Sequence, residues 1–480
     1  MKYYFICFLT GMVILILEVL GFRLFAPYFG SSVYVSGSQI GVILAALSVG
    51  YFIGGQWADK KPDEKLIYYA IVLSAIYLAV IRILQEPILH NFQSYSIYGA
   101  LFSSLIFFGL PMVLLSTVSP FFVKLLSMKE SVGKTAGNIF SVSTVGSIVG
   151  SFLVTFFLIP EIGSALTFTL SIAILFILGV LGLALITKRH IALGMLLALL
   201  LIPPIHVQEK NLIFKGESVY NTVRLYKDKR IIWMTLNQSQ YRQSFGSTNE
   251  TEYLTYRTLF SMAPYITKVN KALILGMSAG ASVLDLEKHF DFHIDAVEID
   301  PLVVALAKEH FGIKEKDNLK IHVTDARNYL KQSGQYDFIE IDLFHVRPEV
   351  PFHTVTEEFF TTVRQRLTPE GIVMMNLIGN LSNLDFVTRP ILNTVSKEFP
   401  SVFYYQDDGN IVMLATNNSS ELEDIRTNLS QAKHYPIMAK KYAENLQRFQ
   451  HDPEALIFTD DHAPIEKLNK KLLEAYASLH

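Results

Sequence analysis

Three carboxylates stand at or just after the ends of successive apolar segments in the second half of the chain, where side chains can do chemistry. Glu298 closes one such segment, Asp325 follows the next and Asp342 follows a third. In that position a carboxylate can accept hydrogen bonds from ribose hydroxyls or an adenine amine, or take a proton from an attacking amine. The pattern therefore predicts a site that binds a nucleoside and handles a proton. For each acid the alternative is a loop acid or a helix cap, and Asp300, just before Pro301, is typical of a cap.

A short glycine turn precedes the first of these carboxylates. Gly276 and Gly280 follow the apolar segment 271–275, without the further glycines of a dinucleotide fingerprint. The sequence also lacks the Gly-Lys-Ser/Thr pattern that cradles phosphates. A pocket that selects ribose and adenine without a phosphate clamp favours S-adenosylmethionine or a relative of it as the ligand.

The elements that must position these residues alternate between strand and helix. Such alternation is typical of a doubly wound α/β domain with a mostly parallel sheet, whose ligands bind beyond the carboxyl ends of its strands. A hairpin of two strands and a helix over 251–262 are expected upstream, as a small β-region. The predicted strands cover 219–225, 230–236, 271–275, 294–298, 319–323, 336–341, 371–376, 401–406 and 411–416, and the later helices cover 281–289, 301–311, 356–367 and 385–398.

The first 207 residues have a different composition. They hold 11 Lys and Arg against 7 Asp and Glu, whereas the whole chain of 480 residues is 51% hydrophobic with a net charge of −2. A bilayer core of about 30 Å requires about 20 apolar residues per helix. Apolar runs of about this length predict a multi-pass membrane domain. Six to seven spans are expected, at 4–26, 38–57, 66–85, 98–123, 137–159, 164–186 and, in a shorter run, 191–206.

Charge and cysteine content exclude several other classes of protein. The acidic second half has no cluster of Lys and Arg, which argues against nucleic acid as a partner. Cys7 is the only cysteine, so a disulfide scaffold is excluded.

Two pairs of glycines, Gly50 with Gly54 and Gly146 with Gly150, are spaced for close packing between helices.

Basic residues predict the orientation of the membrane domain. Nine of them fall on one side of the predicted spans and only Arg23 and Arg82 on the other, which places the amino terminus in the cytoplasm. The 16-residue run Ile191–His206 decides where the globular part lies. Its apolarity favours a seventh span, but Pro203-Pro204 would break it and the adenosyl donor is cytoplasmic. We therefore expect this run to lie in the membrane interface and the catalytic domain to be cytoplasmic.

A series of short motifs runs through the second half of the chain: Leu275-Gly276-x-x-x-Gly280, Val297-Glu298-Ile299-Asp300-Pro301, Thr324-Asp325-Ala326, Tyr336-Asp337-x-Ile339 and Asp342, with Leu236-Asn237, Gln243-Ser244 and Tyr253-x-x-Tyr256 upstream. With these motifs, the run from Ala272 to about Gly371 resembles the spermidine synthase (polyamine aminopropyltransferase) family. The segments Thr356-Glu357-Glu358-Phe359 and Leu367-Thr368-Pro369-Glu370-Gly371 also fit. A membrane half ahead of such a domain resembles that family's membrane-fused, transporter-like subgroup.

The resemblance implies an enzyme that uses decarboxylated S-adenosylmethionine. His310, His345 and His353 do not stand at a spacing typical of a metal site, so no metal is expected. Asp342 would orient and deprotonate the acceptor amine, and Tyr256 would help to position it. The donor-binding residues would be Gln243, Gly276, Gly280, Glu298, Asp325 and Ala326.

Two departures from the family's pattern concern the amines. Ala279 stands where the family carries an aspartate for the donor's amine, and His345 where it carries a second acid for the acceptor. A cationic diamine needs acidic partners, so the two changes weaken the case for putrescine. Glu340 and Glu349 are nearby acids that would be substitutes, Glu340 sharing the face of Asp342.

Three functions remain open at this point. The first is an aminopropyltransferase-like enzyme, the second an S-adenosylmethionine-dependent methyltransferase, and the third a non-catalytic, nucleoside-sensing transporter-like protein. The expected partners are a small-molecule amine and the lipid bilayer, with a homodimer as a further option. The expected domains are 1–207 in the membrane, 208–265 as the β-region and 266–480 as the nucleotide fold.

Overall fold

The chain folds into two compact units, Met1–Glu209 and Lys210–His480, in a computed structural model. The structure describes residues 1–30, 32–128, 131–187, 209–229, 231–237, 244–247, 255–344, 350–379, 381, 386–407 and 409–469. The run 191–206, which the sequence predicts to lie in the membrane interface, lies outside these residues.

Long apolar helices build the first unit. π-Helical turns at Leu105–Gly109 and Val154–Leu158 join helices into longer segments. The helices are α1 (Lys2–Phe29), α2 (Val33–Lys60), α3 (Lys65–Phe92), α4 (Ser96–Ser104), α5 (Leu110–Ser116), α6 (Val118–Ser127), α7 (Val132–Leu153) and α8 (Ile159–Thr187).

Among the described residues of this unit, five helical segments are long and apolar enough to cross a membrane, judged by length and composition. The fifth, Val132–Ile186, has 55 residues and is interrupted at Gly163, where the backbone is not helical. At about 1.5 Å per residue it is more than twice as long as a bilayer core is thick. Two of the six expected spans therefore fit within this one segment.

Both predicted glycine pairs lie where helices approach closely. A side chain at Gly50 or Gly54 would collide with Ser116 or Thr117, and one at Gly146 or Gly150 with the backbone of α1. The close packing predicted for these four glycines is confirmed.

Two ion pairs lie at one end of this unit and each contains a basic residue of the predicted basic side. Lys2 Nζ lies 2.5 Å from Glu64 Oε1, in the loop between α2 and α3. Lys124 Nζ, near the end of α6, lies 2.6 Å from Asp59 Oδ1 at the end of α2. The start of α1, the end of α2 and the end of α6 therefore share one end of the bundle, as a single basic side requires.

The second unit begins with a small antiparallel sheet. Its four strands follow chain order and pair with their neighbours. They are β1 (Leu212–Glu217), β2 (Thr222–Asp228), β3 (Ile231–Leu236) and β4 (Ser244–Ser247).

An eight-stranded sheet forms the centre of the second unit, in the order β12-β10-β11-β9-β8-β5-β6-β7. Strands β5 to β9 are parallel, whereas β10, β11 and β12 pair antiparallel at one edge. The strands are β5 (Lys271–Leu275), β6 (His293–Glu298), β7 (Leu319–Val323), β8 (Tyr336–Ile341), β9 (Leu367–Ile378), β10 (Ser401–Asp407), β11 (Asn410–Thr416) and β12 (Gln447–Arg448).

Helices cover both faces of this sheet, because most of its strands are apolar on both sides. They are α9 (Thr255–Phe260), α10 (Ala263–Ile266), α11 (Ala281–His289), α12 (Pro301–His310), α13 (Ala326–Gln332), α14 (Glu357–Gln365), α15 (Thr388–Glu398), α16 (Leu422–Ser430) and α17 (Pro436–Asn445).

The doubly wound α/β architecture is as predicted, with three corrections to its parts. The sequence missed β1 and β4 in the small sheet. It placed a helix over 251–262, whereas the helix in the described part of that range ends at Phe260. It also missed the short helices α10 and α13, the helices α16 and α17, and the edge strand β12.

A buried carboxylate in β6 links four elements of the large sheet. Asp295 is bonded to Lys271 Nζ at 3.0 Å, His322 Nε2 at 3.1 Å and Tyr336 Oη at 2.9 Å. Burial alone would raise the pKa of Asp295, but the hydrogen bonds from His322, Lys271 and Tyr336 hold it below its usual value. The ionised form is therefore favoured by folding.

Asp295→Asn should lower the stability of the second unit by about 2–4 kcal/mol at pH 7, because it leaves the buried partners of the carboxylate poorly matched. A depressed pKa gives stability that is present above the unfolded value of about 3.9 and is lost as pH falls through the folded value. Thermal unfolding at pH 7 and below pH 4 should therefore show a difference from wild type that shrinks in acid. The exposed Asp317→Asn is the matched control, and an equal loss in both variants would contradict the prediction.

Candidate active site

Backbone hydrogen bonds fasten neighbouring strand ends to one another. These bonds bring the segments after β5, β6, β7 and β8 to one edge of the sheet, as the sequence predicted. They run from Asp342 N to Leu275 O (2.9 Å), from Gly276 N to Val297 O (2.9 Å) and from Thr324 N to Glu298 O (3.1 Å).

The glycine turn after β5 depends on both of its glycines. Gly276 has φ +93° and lies against the carbonyl of Asp342, so a side chain there would collide with the backbone. Gly280 has φ +78°, packs against Ile313 and directly precedes α11. Positive φ is easily adopted only by glycine, so these positions set the path of the turn.

Glu298 lies between the glycine turn and the start of α12. Its Oε2 accepts a hydrogen bond from Ser278 N at 2.8 Å, and its Oε1 accepts one from Asp300 N at 3.1 Å. Burial raises the pKa of Glu298, and these backbone hydrogen bonds oppose the shift. The hydrogen bonds to both oxygens thus fix the orientation of the carboxyl group at the end of β6.

Asp300 is a helix cap, which confirms its expected role. Its Oδ1 accepts from Leu302 N at 3.0 Å, and its Oδ2 accepts from Ser218 Oγ at 2.5 Å and from Asn221 Nδ2 at 3.3 Å. The second set of bonds fixes the small sheet to the nucleotide fold.

Asp325 is the N-cap residue of α13, and a histidine side chain lies near its other carboxylate oxygen. Its Oδ1 accepts from Asn328 N at 2.8 Å, while its Oδ2 lies 4.0 Å from His353 Nε2. Burial lowers the pKa of His353, so the ring is favoured in its neutral form. The next residue, Ala326, is buried and provides an apolar surface beside the carboxylate.

Asp342 lies at the end of β8 between the glycine turn and β9. Its Oδ1 accepts a hydrogen bond from Asn376 Nδ2 at 2.9 Å. Asn376 in turn accepts a bond from Asn410 Nδ2 at 2.8 Å. The carboxylate is therefore held both through its backbone and through its side chain.

Glu340 shares the face of Asp342, because side chains two residues apart in a strand point the same way. It is buried and accepts a hydrogen bond from Ser282 Oγ at 2.6 Å. Burial raises its pKa to about 8, the hydrogen bond from Ser282 and the charge of Arg257 lower it, and the charge of Asp342 raises it. Glu340 is therefore mostly neutral at pH 7 and adds little negative charge beside Asp342.

Of the remaining predicted residues, the structure describes Tyr256 and Ala279 but not the other three. Tyr256 is buried on α9, its ring edge-on to Phe260, in an apolar cluster that includes Phe338 of β8. Ala279 is buried in a separate apolar cluster with Val223 and Leu225 of the small sheet. Three residues, Gln243, His345 and Glu349, lie outside the described part of the chain.

Sequence reasoning missed Asn376, Asn410 and His353. Asn376 follows the apolar run Ile372–Met375, so a search for polar residues at every strand end would have found it. The other two reach the site through long-range contacts that no local pattern indicates. Within the described ranges, no group of three or more His, Cys, Asp or Glu side chains is arranged to hold a metal ion.

Fold and strand order define the second unit as a doubly wound α/β domain. Residues 250–407 match the family model of the spermine/spermidine synthase domain. Over these residues the chain is thus similar to the spermidine synthase family.

Known proteins that resemble the chain fall into two groups. A polyamine aminopropyltransferase of Vibrio vulnificus is 26% identical over 56% of this chain and 95% of its own length. Polyamine aminopropyltransferase 2 of Aquifex aeolicus is 22% identical over 76% of this chain and 78% of its own. The human eEF1A lysine and N-terminal methyltransferase is 33% identical over 22% of this chain, but only 17% of that protein is covered.

Among solved structures, a probable spermidine synthase from Corynebacterium glutamicum aligns over 50% of this chain and 97% of its own, with 20% identity and a TM-score of 0.39. The family model and the aminopropyltransferase relatives support an enzyme of the aminopropyltransferase type, as the sequence predicted.

Proposed function

We propose that the protein is a membrane-anchored, spermidine-synthase-like transferase. It moves an aminopropyl group from decarboxylated S-adenosylmethionine to a small-molecule amine. The observation that carries this proposal is the position of Asp342, held between the glycine turn and Asn376 at the carboxyl end of β8. The match of residues 250–407 to the synthase family supports it.

The reaction requires alignment of two substrates and removal of one proton. The acceptor nitrogen attacks the aminopropyl carbon next to the sulfonium. The new C–N bond forms as the C–S bond breaks, and the bonding electron pair leaves with sulfur as methylthioadenosine. Asp342 takes the proton that the nitrogen loses, and Tyr256 helps to position the amine.

The donor would lie across the loops after β5, β6 and β7. Glu298 would accept hydrogen bonds from the ribose hydroxyls, and Asp325 with Ala326 would bind the adenine. Gly276 and Gly280 let the turn approach the donor closely, and Gln243 would line the pocket. The protein fixes Glu298 and Asp325 by backbone hydrogen bonds before the donor arrives, which reduces the ordering needed on binding.

A methyltransferase that uses intact S-adenosylmethionine is the second candidate. The observation in its favour is Ala279, which packs among Val223 and Leu225 where the family carries an acid for the donor's amine. An acid there would repel the carboxylate of the intact donor, so its loss suits that donor. The likeness to the human methyltransferase over 22% of this chain points the same way.

One assay distinguishes the two candidates. Purified full-length protein is incubated with either donor and a panel of primary amines, and the sulfur product is identified by mass spectrometry. Methylthioadenosine made from the decarboxylated donor supports aminopropyl transfer. Adenosylhomocysteine made from the intact donor supports methyl transfer instead, and neither product with any amine would favour a non-catalytic, nucleoside-sensing protein.

The helical unit is the proposed membrane anchor. Five long apolar segments and the gathering of basic residues at one end support this proposal. The alignment to the Aquifex aeolicus relative covers 76% of the chain, which is longer than the second unit alone, so that similarity extends into the helical unit. This supports the membrane-fused subgroup. The orientation proposed from the basic loops puts the amino terminus and the catalytic domain in the cytoplasm.

Cysteine labelling in intact cells tests this orientation. Lys331→Cys, on the exposed last turn of α13, is made in a Cys7→Ser background and treated with a membrane-impermeant maleimide. We expect labelling only after lysis, because the domain shares a compartment with its donor. Tyr95→Cys, in the loop between α3 and α4, should label before lysis, and Lys61→Cys only after it. Labelling of Lys331→Cys as early as Tyr95→Cys would place the domain outside.

A further inference from the structure

Two asparagines connect the turn between β10 and β11 to the carboxylate of Asp342. Asn410, the first residue of β11, donates from Nδ2 to Asn376 Oδ1 at 2.8 Å. Asn376, in β9, donates from Nδ2 to Asp342 Oδ1 at 2.9 Å. Asn376 is 1% exposed, so its buried side-chain amide binds Asp342 and Asn410 instead of water.

The chemistry of the partners fixes the direction of this chain of bonds. An ionised carboxylate can only accept hydrogen bonds, so the side of Asn376 that faces Asp342 must be its NH₂ group. The carbonyl oxygen of Asn376 then faces the other way, where it needs a donor, and Asn410 supplies one. Both amides therefore present their positive ends toward Asp342, and bonds aligned in this way strengthen one another.

The sheet holds the two asparagines rigidly. Asn376 pairs with Val412 across β9 and β11, and Met375 pairs with Ile341 just before Asp342. Gly379 N donates to Gly409 O at 3.1 Å and closes the turn beside Asn410. The amide of Asn376 thus cannot move away from the carboxylate without disturbing the central strands.

We infer that Asn376, oriented by Asn410, is a positioning residue that keeps Asp342 ionised and fixes its Oδ1. The acceptor amine then delivers its proton to the carboxylate of Asp342. This inference rests on the proposed function of Asp342 as the base. It adds two residues on β9 and β11 to a site that the loops after β5 to β8 had defined.

Among the described residues, Glu340 lies two residues upstream of Asp342 on β8 and interacts electrostatically with it. Arg257 on α9 and Asp285 on α11 also interact electrostatically with Glu340. Substitution of Asn376 leaves these groups in place. A change in the titration of Asp342 would therefore report the loss of the amide bond.

The test uses three variants of the full-length protein. In Asn376→Leu the apolar side chain cannot donate, and kcat should fall about 10-fold at pH 7 with an unchanged KM for the donor. The acid limb of the pH profile of kcat should move up by about one pH unit, because the ionised carboxylate has lost a hydrogen bond. In Asn376→Val the shorter apolar side chain cannot donate either, and the limb should move up by a similar amount. Asn410→Leu should act in the same direction with about a threefold effect.

The matched control is Asn393→Leu on α15. Asn393 is also fully buried and donates to Asp452 O at 2.9 Å, far along the chain from the site. It should cost stability as the other substitutions do, yet leave the pH profile unchanged. A shift of the same size in Asn393→Leu would overturn the inference.

A second readout does not depend on turnover. A carbodiimide modifies carboxyl groups in their protonated form, and peptide mass spectrometry measures its addition to Asp342 as a function of pH. The midpoint should move up in both Asn376 variants. If it moves while the wild type transfers no aminopropyl group, the positioning role stands and the proposed function fails. If both variants keep the wild-type midpoint and pH profile, the inference is wrong, and Asn376→Val decides alone should Asn376→Leu not fold.

Discussion

Asp342→Asn should lower turnover by about 100-fold or more while leaving donor affinity nearly unchanged, because a general base contributes on this scale. The amide that replaces the carboxylate keeps an oxygen that can accept the bond from Asn376. The backbone bond from residue 342 to Leu275 also remains. The substitution therefore removes the ability to take a proton and little else.

Initial rates with saturating amine and donor measure the turnover, and calorimetry measures the donor affinity. Asp337→Asn is the matched control, because Asp337 lies on the same strand at its other end. There it accepts bonds from Asn270 N and Lys271 N, at 2.9 Å and 3.1 Å, and from Thr368. It should affect stability without affecting turnover. Wild-type turnover in Asp342→Asn would remove this residue from the mechanism.

The sequence predicted the central strands more accurately than the edges. The bounds predicted for β5, β7 and β8 agree with the structure, and β5 and β8 end directly before Gly276 and Asp342. In β1 the burial alternates between partly buried and exposed residues, so its sequence lacks an apolar run. Edge strands of this kind depend on pairing with a neighbour, which a local pattern does not record.

The site was predictable to the extent that it follows from strand ends. Parallel strands bring their carboxyl ends together, so Glu298, Asp325 and Asp342 were expected to lie at one edge of the sheet, and their backbone bonds place them there. The contacts of their side chains were not predictable. That Asn376 reaches Asp342 depends on the order of β8, β9 and β11 in the sheet, and this order is a property of the whole fold.

The packing of Ala279 shows how the fold limits the chemistry. The small sheet covers this position with Val223 and Leu225. A carboxylate there would therefore be buried among apolar side chains, at a cost in solvation free energy. Glu340, the acid expected to compensate, accepts a hydrogen bond from Ser282, and burial raises its pKa to about 8. Position 279 therefore offers an apolar surface, and burial opposes the ionisation of Glu340.

Glu298→Gln should weaken donor binding by about 1.5–3 kcal/mol, the range for hydrogen bonds to a charged group. The ribose hydroxyls lose a charged acceptor. In addition, the new NH₂ group must face either Ser278 N or Asp300 N, both of which are donors now bonded to the carboxylate. The glycine turn would therefore lose part of its support together with the ribose contact.

Titration calorimetry with the donor between pH 5 and 8 tests both the size and the origin of this effect. Burial raises the pKa of Glu298, so wild-type affinity should fall as pH drops through that raised value and the carboxylate is protonated. The variant cannot titrate at this position, and its affinity should change less over the same range. Glu309→Gln, on the exposed side of α12, is the matched control and should bind like wild type. Unchanged affinity in Glu298→Gln would mean that the ribose binds elsewhere along the strand ends.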